Sequence, residues 1–108
     1  MILSTTETIP GHTISETLGI VRGTTVRTRH VGRDIMAGLR NLVGGEVTEY
    51  TKLVAEAREQ AYDRMAAQAK ALGADGVVGM RFGTSMVAQG AAELLAYGTA
   101  VRFADPER

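Results

Sequence analysis

Between Thr48 and Leu72 the apolar positions return every three or four residues. At 100° per residue, Tyr50, Leu53, Val54, Ala57, Ala61, Met65 and Leu72 fall on one stripe, and Lys52, Glu56, Glu59, Asp63 and Lys70 fall opposite. This pattern predicts an amphipathic helix over 48–72. Alanine supplies the middle of the stripe, so whatever packs there approaches closely. The run "LGADG" ends the helix, with Gly73 where a left-handed cap forms. Gln68 falls inside the stripe and is read as a polar contact at the helix end. Ile35, Met36, Leu39, Leu42 and Val43 also recur at helical spacing, which predicts a short helix over 34–43 stopped by Gly44.

Elsewhere the period is two. Residues 1–30 are rich in Thr, Ile, Val and Leu, and predict a short strand near Ile2 to Thr5 and a longer one near Thr17 to Arg29, with a turn at Pro10 and Gly11. Two more strands, Gly76 to Gln89 and Ala92 to Phe103, form a hairpin near Gly90. On the last strand Leu95, Tyr97, Thr99, Val101 and Phe103 share one face; Leu94, Ala96, Gly98, Ala100 and Arg102 share the other. The flat Ala/Gly face suits the alanine stripe of the long helix. The bulky face, joined by Val78, Met80 and Phe82 of the partner strand, then needs cover of its own. Either the short helix or a second copy of the chain supplies it, and the second copy buries a two-sided sheet more economically.

The expected architecture is therefore α+β, with antiparallel strands packed on one long helix plus a short one. A chain of 108 residues makes one domain, 1–108. Twelve basic residues balance twelve acidic ones, so no net field draws the chain to nucleic acid or to an anionic membrane. The absence of cysteine excludes disulfides, thiolate nucleophiles and cysteine-based zinc or iron–sulfur sites. Neither a basic leader nor an apolar run long enough to span a membrane appears, so a cytoplasmic protein is expected.

Candidate chemistry is sparse. His12 and His30 are the only histidines, and a metal site built on them would need carboxylates or a second subunit; the alternative is two partly exposed polar residues. Arginines 22, 27, 29, 33 and 40 cluster against one acid, Asp34, with no aromatic residue before Tyr50. Such arginines guard an edge strand or pair across an interface more readily than they bind nucleic acid. No serine elbow, phosphate loop or acid–base pair stands out, so no enzyme and no cofactor is expected. The stretch "RNLVGGE" at 40–46 leads into the long helix. There Gly44 and Gly45 bring bare N–H groups to the positive helix end beside Arg40 and Glu46, and Tyr50 and Arg58 follow on the helix. This corner either holds a small polar or anionic ligand or is a self-satisfied capped joint.

"STTETIPG", "LGIVRG", "RNLVGGE", Tyr50, "AREQA", "LGADGVVGMRF" and "YGTAVRF", in this order and spacing, resemble the YbjQ-like family of small uncharacterised bacterial proteins. Matching motif positions are Arg40, Gly44, Gly45, Tyr50, Arg58, Gly73, Ala74, Gly79, Gly98 and Thr99. The resemblance implies a dodecin-subunit-like fold assembled into a ring-shaped homopentamer. It brings no established activity. The family is sometimes labelled heavy-metal-binding, a label from which a chain with no cysteine and two scattered histidines departs.

Overall fold

The computed structural model describes residues 1–27, 48–88 and 91–104. The helix expected over 34–43 lies outside them. Four strands and one helix follow in the order β1 (Ile2–Leu3), β2 (Ile14–Arg27), α1 (Thr48–Ala71), β3 (Gly76–Ala88) and β4 (Ala91–Phe103). The strands form one sheet in the order β1-β3-β4-β2. β4 is antiparallel to both β2 and β3, while β1 runs parallel to β3. The sheet is therefore mixed, where an antiparallel one was expected, because the chain must cross over through β2 and α1 before β3 returns beside β1. Strands of 13 and 14 residues reach about 45 Å at about 3.3 Å per residue. They account for most of the molecule's 54 Å long axis.

α1 closes in the motif its glycine predicts. Gly73 adopts φ +78°, its N–H donates to the Lys70 carbonyl at 3.0 Å, and the Ala74 N–H reaches the Ala69 carbonyl at 3.1 Å. Arg102 of β4 adds a side-chain clamp, with Nε donating to the Gly73 carbonyl at 3.1 Å and Nη1 3.4 Å from the Glu16 carboxylate. One face of the helix is lost to solvent at every fourth residue: Ala57, Ala61, Met65 and Ala69 are all buried. Ala61, Met65 and Ala69 pack on Val21, Val77, Met80, Ala96 and Ala100 of the sheet. Ala69 completes this ladder, whereas Val54 and Leu72, read from the pattern as stripe residues, are exposed. Burying Met65 alone contributes about 2 kcal/mol.

The close approach is set at Gly23. A Cβ there would stand 2.1 Å from the Ala61 carbonyl oxygen and 2.4 Å from the Met65 nitrogen, so only a glycine lets helix and strand meet at this distance. Around it the helix also dresses the outer edge of β2. The Arg22 N–H donates to Gln68 Oε1 at 2.7 Å, Arg64 Nη1 donates to the Thr24 carbonyl, and Thr25 Oγ1 donates to the Ala57 carbonyl at 3.1 Å. Gln68, out of place in an apolar stripe, thus satisfies a backbone donor of an edge strand.

The opposite face is covered at one end only. Val78, Val101 and Phe103 are buried there against Ile9, in the loop that joins β1 to β2, and Ile14, the first residue of β2. Beyond that plug, Ile20, Val26 and Tyr97 are exposed, and no described element lies over them. The sequence reading placed Met80 and Phe82 on this face beside Val78. The structure moves both to the helix side. Gly79, at φ +63°, forms a bulge between Val78 and Arg81, and one extra residue reverses the alternation beyond it. Met80 then joins the core under the helix, and Phe82, registered with Ala96, faces the same side but stays exposed.

Candidate functional site

The corner singled out from the sequence is only partly within the described residues. Arg40, Gly44, Gly45 and Glu46 lie outside them, as does His30. Tyr50 belongs to the first turn of α1. Arg58, eight residues and about 12 Å further along the helix, is exposed. Tyr62, one turn beyond Arg58, is half-buried and packs on the helix-side core, so its ring is engaged in packing. Of the five clustered arginines, Arg22 and Arg27 stand on β2, an edge of the sheet, which agrees with the edge-strand reading. Arg29, Arg33 and Arg40 are among the residues not described.

Across the open face the register aligns Arg22, Tyr97 and Arg81 on three neighbouring strands. Arg81 is already committed: its Nη1 donates to the Thr5 and Met80 carbonyls, each at 2.8 Å, and ties the N-terminal segment to the bulge. The same segment is held by the backbone, the Gly79 N–H donating to Thr6 and the Met80 N–H to Ser4. That accounts structurally for "STTETIPG", which lies along the bulged part of β3.

A second constellation forms at the plugged end. The turn at Pro10 and Gly11 is closed by the His12 N–H donating to the Ile9 carbonyl at 3.1 Å. It lays the His12 ring on Phe103, with centroids 4.5 Å apart and planes inclined by 27°. His12 Nδ1 is buried there and has no hydrogen-bond partner. Asp75, just after the helix stop, accepts the Phe103 N–H on Oδ2 at 3.0 Å and donates its own N–H to the Val101 carbonyl at 2.9 Å. His12, Asp75 and Phe103, with Met1, Ile2, Lys70 and Ala74, line a cleft of about 390 Å³. The sequence marked His12 but not its companions. Lys70 and Asp75 come from the end of α1 and just after it, and Phe103 from β4; the pairing of Ile14 with Phe103 and the Ala104 N–H on the Thr13 carbonyl bring β4 close to His12. Among the described residues no three His, Cys, Asp or Glu side chains are grouped to hold a metal ion. His12 is one donor, and a metal there would need ligands from elsewhere.

A family model described as "Putative heavy-metal-binding" matches residues 1–104. The chain belongs to the YbjQ family. Its relatives include proteins named UPF0145 from Halorubrum lacusprofundi, 63% identical over 95% of this chain and 99% of that one, and from Methanosarcina acetivorans, 59% identical over 95% and 97%. Another from Thermus thermophilus is 53% identical over 100% of this chain and 94% of its own length. The family thus extends to archaea as well as bacteria, wider than the bacterial range the motifs suggested. The shared name carries no enzymatic activity. The crystal structure of a protein of unknown function from Pediococcus pentosaceus, assigned to the DUF74 family, superposes with a TM-score of 0.61 at 19% identity over 95% of this chain and 97% of that one. At that identity the likeness speaks for the α+β fold alone.

Proposed function

We propose that this YbjQ-family protein is a non-enzymatic binding module that works as a homo-oligomer and holds a small polar or anionic ligand at the 40–46 corner or between subunits. The observation that carries the reading is the uncovered half of the outer sheet face, where Ile20 is 77%, Val26 52% and Tyr97 39% exposed. Large apolar side chains on one sheet face, Ile20 and Val26 of β2 and Tyr97 of β4, are more favourably covered by another copy than left in water. A contact that joins unlike surfaces of successive copies closes into a ring where the rotation between copies closes, and the dodecin-like pentamer implied by the family resemblance is the form we favour, in the cytoplasm. Arg40, Glu46, Tyr50 and Arg58 are the proposed contacts to the ligand. Native mass spectrometry of the freshly purified protein tests both parts, expecting a pentamer with retained small-molecule mass. A bare monomer would overturn the reading.

Binding of a divalent or heavy metal through His12, His30 and carboxylates of several subunits is the second reading. It is favoured by the family description and by the unpartnered Nδ1 of His12. Elemental analysis separates the two: one metal per subunit, lost on replacing both histidines, would put the metal first.

A further inference from the structure

We propose that the cleft at His12 is a second ligand site, distinct from the 40–46 corner, that takes a small singly charged organic acid with an apolar tail. The cleft, about 390 Å³, lies within the range of about 300–1,000 Å³ in which small-molecule sites are found. Its walls divide by chemistry. Ile2, Ala74 and the stacked edge of His12 and Phe103 offer apolar surface, while Lys70, on the last turn of α1, supplies an ammonium at the rim.

His12 is the most telling member. Its Nδ1 is buried without a partner, and a ring nitrogen so placed is unfavourable until something satisfies it. The ring is held by Phe103 behind it and by the turn to Ile9 beneath it, so it is positioned in advance rather than recruited. A carboxylate beside Lys70 accepts hydrogen bonds from the ammonium and from an imidazole N–H, and the acid's alkyl tail lies along Ile2 and Phe103.

Charge selects the class. Lys70 carries the positive charge among the lining side chains that are charged at all pH values near neutral, and Asp75 brings a negative one to the same rim. Asp75 is fixed in place by the Phe103 amide at 3.0 Å and cannot swing away without breaking it. A monoanion is tolerated beside this pair, whereas a phosphate dianion is repelled more strongly by the Asp75 carboxylate. Among the described residues a metal ion finds too few donors here.

The inference is independent of the corner at 40–46, and its test uses different residues. Hexanoate, inorganic phosphate and zinc are titrated separately into the full-length protein and followed by amide NMR shifts. Hexanoate is expected to shift Asp75, Phe103 and the 9–13 turn saturably, and phosphate and zinc to do so at least tenfold more weakly. Lys70→Ala, at an exposed position, is expected to weaken hexanoate at least tenfold with the spectrum otherwise preserved. His12→Phe keeps the stack, removes the nitrogen and is expected to weaken it as well. Absence of saturable shifts, shifts unaltered by both substitutions, or phosphate or zinc binding as tightly as hexanoate would each overturn the proposal.

Discussion

The two faces of the sheet are made from the same three long strands, yet they solve their burial in different ways. On the helix side, small residues meet small residues: Gly23 under Ala61, and Ala96 and Ala100 under the alanine ladder, with Met65 filling the remaining space. Under the helix this face is closed within one chain, and even its exposed edge is dressed by Gln68 and Arg64; further out on β3, Phe82 and Met86 stay exposed on the same side. On the other side the chain covers only one end, using Ile9 and Ile14 over Phe103, and leaves Ile20, Val26 and Tyr97 outside. A face closed by small residues tolerates no added volume, while a face left open with large ones has volume to share. The first should respond to substitution through stability, the second through association.

The largest effect is expected at the closest approach. Gly23→Val drives a branched side chain into the backbone of α1 at Ala61 and Met65, and should destabilise by at least about 3 kcal/mol or prevent folding. Urea unfolding followed by circular dichroism checks this. Next comes Met65→Ala, which empties a fully buried position and should cost about 3 kcal/mol in the same assay. A cost near zero for either would mean that helix and sheet are not packed as described. Arg102→Ala releases the clamp on the helix end. Because Arg102 and Glu16 are about half exposed, the loss should be about 1 kcal/mol, seen as a small fall in the urea midpoint. On the open face, Ile20→Lys at 77% exposure should change the stability of an isolated protomer by less than about 0.5 kcal/mol.

How far these faces were legible in the sequence follows from the same contrast. The helix was expected over 48–72 and is found at Thr48–Ala71, because 3.6-residue periodicity and a glycine stop are local signals. The hairpin strands likewise agree within a few residues, Gly76–Ala88 and Ala91–Phe103. The pairing of a flat Ala/Gly face with the alanine stripe was also readable, since both patterns lie in short stretches. The bulge at Gly79 was not. A glycine inside a strand pattern does not announce whether the alternation continues past it, and here it reverses, carrying Met80 and Phe82 to the helix side. Parallel pairing of Ile2–Leu3 with Gly76–Val77 was invisible for a related reason, being a contact between residues more than seventy positions apart. Of the candidate sites, the 40–46 corner could be marked from its glycines and charges alone. The cleft at His12 could not, because Lys70, Asp75 and Phe103 become neighbours of that ring only once the sheet is closed.

The measurement that bears most directly on the difference between the faces is the solution mass of the wild type and of Ile20→Lys by light scattering coupled to size-exclusion chromatography at micromolar concentration. If a second copy covers the open face, the wild type elutes at a multiple of the 11.5 kDa chain, and its unfolding midpoint rises with concentration. A lysine at Ile20 then shifts the population towards the single chain without loss of secondary structure. A wild type that scatters as 11.5 kDa, or an Ile20→Lys variant that assembles as well as the wild type, would contradict the account.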